Sequence, residues 1–178
     1  MQYKSWRKLT LILMSSCLLI ACSKSNDADS KAQSKNTLRV DIGAEIPTFD
    51  PALAEDGYTY RVINDLFAGL VDFDQANRPI PGMASSWEIS SDGLTYTFHL
   101  KPNLKFSDGS SIIAKDFVFS WQRLINPKTG SSYSFLLKDV LNGADIIAGK
   151  KPASQLGVYA PNAETVVVKL YHPSNAFL

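Results

Sequence analysis

From residue 37 onward, alternating and helical periods divide the chain into short elements. Leu38, Val40 and Ile42 alternate with Arg39, Asp41 and Gly43, which predicts a strand. Ile46, Pro47, Thr48, Phe49, Asp50 and Pro51 make a loop stiffened by two prolines. Val62, Ile63, Leu66, Phe67 and Leu70 then share one helical face, with Asp56 or Thr59 placed to cap it and Gly69 to end it. Val71 and Phe73 predict a short strand, and Pro79, Pro81 and Gly82 a rigid loop. Trp87 and Ile89 open another strand, turned at Asp92 and Gly93.

The run that follows has the strictest period of two. Leu94, Tyr96, Phe98 and Leu100 point to one face, and Thr95, Thr97 and His99 to the other. Leu104 and Phe106 resume the strand until Ser107, Asp108 and Gly109 turn it. Ala114, Phe117, Val118, Trp121, Leu124 and Ile125 return at spacings of three and four, the stripe of an amphipathic helix that packs Phe117 and Trp121 in the core. It stops before Asn126 and Pro127, because proline denies its predecessor helical geometry. Two short helices are expected over residues 133–137 and 141–148, around Asn142 and Gly143, and a last β-branched strand over residues 165–170.

Composition adds the first 36 residues to this picture. MQYKSWRK is basic, and LTLILMSSCLLIA is an apolar run of 13 residues. A bilayer-spanning helix needs about 20, so the run fits a secretory leader. It ends in Leu19, Ile20, Ala21 and Cys22. Residues 23–36, SKSNDADSKAQSKN, hold almost nothing to bury and read as a disordered tether.

The whole chain is 45% hydrophobic and 20% charged over 178 residues, with a formal charge of +1. That is the composition of an ordinary globular domain. Three of the 18 basic residues sit in the leader, so the remainder carries 15 against 17 acidic residues. Nothing marks a nucleic-acid surface. The cysteines are Cys17 and Cys22, so the domain beyond the leader has no internal disulfide and no thiolate metal site.

Catalytic chemistry is not visible. There is no phosphate-cradling glycine loop and no Gly-x-Ser-x-Gly elbow. His99 and His172 have no carboxylate or cysteine at metal-ligand spacing. Glu55 and Asp56 are neighbours whose side chains should diverge, toward capping or solvent. Neither an enzyme, a cofactor nor a metal is expected.

Two resemblances add to these readings. The leader's end resembles the lipobox of bacterial lipoproteins, which implies cleavage before Cys22 and its acylation, a membrane anchor stronger than one chain provides. Further on, FDPALAEDGYTYRVINDLFAGL is followed by PIPGMASSWEISSDGLTYTFHLKPNLKFSDGSSIIAKDFVFSWQRLINPKTGSSY and GKKPASQLGV. This ordered series resembles the oligopeptide-binding proteins of bacterial ABC importers, the family 5 solute-binding proteins, over residues 37–178.

The resemblance implies an α/β, periplasmic-binding-protein-like fold of the two-lobed class II type. It implies residues 37–67 at the start of ligand-binding lobe I and residues 68–178 in an extra α+β domain, where the turns at Asp92 and Asp108 belong to a small β-meander that docks the following helix. Such proteins close two lobes around an extended peptide and deliver it to membrane permease subunits. The main chain is read by strand-like pairing, and hinge closure couples capture to docking.

Carried over to this chain, the peptide-lining positions are Glu55, Asp56, Gly57, Tyr58 and Tyr133. Asp56 as a helix N-cap and Tyr133 as a packed aromatic are the competing readings. In the family a downstream third domain holds the peptide's amino terminus, and this chain stops at HPSNAFL. It is therefore expected to be an N-terminal portion, working as a monomer at the cell envelope. Ser23 after the lipidated cysteine resembles an outer-membrane sorting signal; in a one-membrane bacterium the anchor would lie on the plasma membrane's outer face. The alternative is a truncated envelope lipoprotein that keeps the scaffold and binds no peptide.

Overall fold

The computed structural model describes residues 38–174 and 176–178. The leader, Cys22, Ser23 and the tether lie outside the described residues. Residues 38–41 belong to one unit and Ile42–Leu178 to another. The strand expected over residues 38–42 does not form. Alternation makes a stretch strand-competent, but only a hydrogen-bonded neighbour makes it a strand.

Helix α1 spans Gly57–Leu66. It ends before Gly69, with Phe67 as its C-cap donating to the Ile63 carbonyl. Its buried residues are Thr59 and Ile63, while Leu66 and Phe67, placed by their spacing on the core face, are 61% and 53% exposed. Burial within α1 reaches only its first two turns, and Leu70, beyond the helix, joins the core.

Strands β1 (Val71–Phe73) and β2 (Pro79–Pro81) pair antiparallel, with Asp72 opposite Ile80. The proline-rich stretch expected as a loop is thus a strand. Two prolines are tolerated because β2 is an edge, where a missing N–H breaks no second ladder. Asp74 closes the turn, its side chain accepting from the Ala76 and Arg78 N–H groups at 2.8 and 3.0 Å.

Strands β3 (Ala84–Ile89), β4 (Thr95–Leu100), β5 (Val158–Asn162) and β6 (Thr165–Lys169) form one antiparallel sheet in the order β3-β4-β6-β5. The β3–β4 hairpin sets Trp87 opposite Phe98 and Ile89 opposite Tyr96. Asp92 holds its turn by accepting from the Leu94 N–H, and Gly93 takes φ +70°. In β4, Tyr96, Phe98 and Leu100 are buried and the intervening residues are half-buried, as the alternation predicts.

The second neighbour of β4 departs from the expected meander. Leu104 and Phe106 form no strand; Lys105 and Ser111 make one isolated bridge around Gly109. The place beside β4 is taken by β6, with Phe98 opposite Val166 and Tyr96 opposite Val168. Strand β5, which the sequence pattern did not announce, covers the far edge and carries Pro161 there.

Helix α2 spans Ala114–Ile125 and packs on β5 and β6. Asp116 reaches back to the Ile113 N–H at 2.8 Å, and the helix ends at Asn126 as proline requires. Ala114 and Ile125 are fully buried; Phe117 and Trp121 are half-buried against the core rather than inside it.

A 3-10 turn spans Ser134–Leu137, and helix α3 spans Gly143–Ile147, later than the predicted start because Asn142 takes a left-handed φ of 67°. Together Phe98, Ile125, Val140, Ile146, Val166 and Val168 make the fully buried centre.

Candidate functional site

The predicted site begins in the loop before α1, which the chain builds from its own polar groups. Thr48 Oγ1 accepts from the Asp50 N–H at 3.1 Å, and Asp50 Oδ1 accepts from the Ala52 N–H at 3.0 Å. The Asp50 carbonyl accepts from Leu53 and Ala54 at 3.0 and 3.1 Å. Ala52 and Ala54 are buried beneath this turn.

Arg123, in the last turn of α2, closes a two-pronged fork on Asp50. Nη1 donates to Oδ1 at 2.8 Å and Nη2 donates to Oδ2. This fork holds the Asp50 carboxyl below its usual range and pushes the Arg123 guanidinium up.

Asp56 spends both carboxylate oxygens on α1. Oδ1 accepts from the Thr59 N–H at 2.8 Å and Oδ2 from the Thr59 hydroxyl at 2.7 Å. These bonds to Thr59 lower its pKa. Asp56 is therefore the N-cap, the first of its two expected roles. Glu55 points elsewhere, as the two adjacent carboxylates were expected to do. Its Oε1 accepts from the Ser132 hydroxyl at 2.5 Å.

Gly57 faces open space, with nothing within 4 Å of where a Cβ would stand. Tyr58 is exposed. Tyr60, two residues on, meets Tyr133 edge to face with centroids 5.5 Å apart, and Tyr133 lies 5.8 Å from Phe135. Burial pushes the Tyr60 phenol up, and Tyr133 adds to the shift.

The fold thus joins Glu55 to Ser132 and Tyr60 to Tyr133, though their sequence positions are far apart. It also adds Asp50, Tyr60, Arg123 and Ser132, which sequence reasoning missed. Asp50 stands in an Asp-Pro pair and Arg123 at a helix end, but no local spacing reports a pairing across 73 residues.

His99 and His172 each lie beside one carboxylate, Glu88 at 3.5 Å and Asp139 at 3.3 Å. Among the described residues no group of three metal-ligating side chains forms. An apolar cleft of about 620 Å³ runs between Phe67, Phe73, Trp121, Leu136 and Phe177, and no predicted site residue lines it.

Comparison gives the class. The family model for bacterial extracellular solute-binding proteins, family 5 (its middle region), matches residues 78–178. The chain belongs to that family.

Its relatives include the dipeptide-binding protein of Lactococcus lactis subsp. cremoris, 36% identical over 94% of this chain and 30% of its own length. The periplasmic oligopeptide-binding protein OppA of Salmonella typhimurium is 44% identical over 87% of this chain and 30% of its own. Among solved structures, Haemophilus influenzae OppA in complex with RPPGFSPFR superposes with a TM-score of 0.74 at 40% identity, covering 76% of this chain and 27% of that one. The α/β fold is that of the periplasmic binding proteins, and the chain spans about 30% of the length of the curated relatives it matches.

Proposed function

We propose that this chain contributes to the peptide-capturing component of a bacterial ABC importer, with residues 55–58 and Tyr133 along the path of the ligand. One observation carries the reading. In a chain whose relatives are named for dipeptides and oligopeptides, Glu55 accepts from Ser132, the residue before Tyr133, and Tyr60 packs on Tyr133 itself, with Gly57 and Tyr58 exposed between them. Open space at Gly57 leaves room for a peptide main chain, and the exposed Tyr58 ring offers an apolar wall. Main-chain pairing of this type tolerates many side chains.

In the same reading the protein delivers its ligand to permease subunits, residues 37–67 begin lobe I and residues 68–178 form an extra domain, and the protein is a monomer held at the envelope by lipid on Cys22. Support for the anchor is the lipobox-like leader.

The test is calorimetric titration of the full chain in mild detergent with mixed tri- to pentapeptides and with RPPGFSPFR. Saturable binding at micromolar strength supports the reading. A folded sample that releases no heat with either would favour the scaffold that binds no peptide.

A further inference from the structure

The loop before α1 and the first turn of α1 are fastened to the end of α2 and the segment after it at three points among the described residues. Asp50 meets Arg123, Glu55 meets Ser132, and Tyr60 meets Tyr133. The contacts differ in kind. Glu55 and Ser132 share one hydrogen bond between exposed groups, and Tyr60 and Tyr133 meet ring edge to ring face. Only the Asp50–Arg123 contact is a planar fork on a carboxylate, the geometry that fixes direction as well as distance.

Both ends of that fork are themselves held. Arg123 belongs to a helix whose final residue, Ile125, is fully buried, and its carbonyl accepts from the Thr129 hydroxyl at 2.6 Å. Asp50 organises the turn that leads into residue 55 through the amides of Ala52, Leu53 and Ala54. Arg123 thus sets where the turn starts, and the turn sets where residues 55–58 emerge.

Resting on the peptide-binding reading above, we propose that Arg123 is a positioning residue: through Asp50 it fixes the placement of residues 55–58 against Tyr133, and so sets peptide affinity without touching the ligand. Lysine in its place would keep the charge and lose the fork. A purely structural arginine would destabilise the whole domain; a positioning one loosens residues 51–60 and leaves the sheet intact.

The experiment compares the full chain with Arg123→Met, Arg123→Lys and Asp50→Asn. It measures amide hydrogen exchange and affinity for RPPGFSPFR. Arg123→Met should speed exchange at Ala52, Leu53, Ala54 and Tyr60 about tenfold or more, while β4 and β6 keep their protection. Affinity should fall at least about tenfold, a difference of about 1.4 kcal/mol, and Arg123→Lys should recover only part of it. Asp50→Asn breaks the fork from the other side and should reproduce both effects, which covers the case in which an Arg123 variant fails to fold.

Unchanged exchange over residues 51–60, exchange raised equally in β4 and β6, or local loosening with full affinity would each overturn the proposal. A parent chain that binds no peptide would sink the peptide reading instead, and the exchange pattern would still decide whether Arg123 holds the segment.

Discussion

Asp56 illustrates how one side chain can satisfy a local rule within a segment proposed to meet the ligand. Both its oxygens serve Thr59, so its first duty is to start α1. Asparagine caps about as well as aspartate, and alanine does not. Asp56→Ala should therefore lower the melting temperature clearly more than Asp56→Asn, read by circular dichroism. Equal losses would mean that the charge, rather than the cap, holds the helix.

Acid should act through the same class of residue. The carboxyls of Asp50, Asp56, Asp74, Asp92 and Asp108 are all held low by hydrogen bonds, from Arg123 in the case of Asp50 and from turn or cap groups in the others. A carboxyl depressed in the folded state stabilises it fully above the unfolded value, about 3.9, and ceases to as the pH falls through the folded value. Melting temperature should thus hold steady near neutrality and drop below about pH 4, with a shallower drop in Asp50→Asn. A profile flat down to about pH 2 would contradict this linkage.

At the scale of elements, spacing identified most helices and strands and few of their partners. Tyr96, Phe98 and Leu100 announced a half-buried strand, and the strand is there. Its neighbour β6 lies about 70 residues later, with α2 and α3 folded in between. Close approaches were equally hidden. At Gly143 a Cβ would stand 2.0 Å from the Leu137 carbonyl oxygen, a backbone atom that cannot step aside. Gly143→Ala should cost about 3 kcal/mol in denaturant unfolding, through overpacking. Gly57→Ala meets nothing within 4 Å and should gain about 0.5 kcal/mol by stiffening the unfolded chain. If peptide main chain passes over Gly57, the same substitution weakens binding while it stabilises the fold. A stable variant with unchanged affinity would remove Gly57 from the site.

At the scale of the whole molecule, the proposed lipoprotein would join its leader to a chain of the family 5 solute-binding proteins. Among the described residues no helix is long and apolar enough to cross a membrane. In the proposed lipoprotein, attachment turns on Cys22. Cys22→Ser should abolish incorporation of radiolabelled fatty acid in a bacterial host; label retained by the variant would end the lipid-anchor proposal.

Hydrophobic period, proline and glycine placement and capping residues act over a few positions, so the sequence by itself determined α1, β1, β3, β4, α2 and β6, while the family came from the resemblance of its ordered motifs. Prolines misled at β2, because an edge strand forgives what a loop requires. Periodicity could not tell which part of α1's stripe would be covered, nor that Trp121 would stay half-buried beside a cleft. The same limit applies to the site. Glu55, Asp56, Gly57, Tyr58 and Tyr133 are proposed as peptide-lining positions by resemblance alone, and local chemistry announced the cap at Asp56. The Asp50–Arg123 fork, the Glu55–Ser132 bond and the Tyr60–Tyr133 contact exist because α2 packs on β5 and β6 and carries its C-terminal end to the loop before α1. Contacts across more than 70 residues depend on where the buried surfaces meet, and only the tertiary structure decides that.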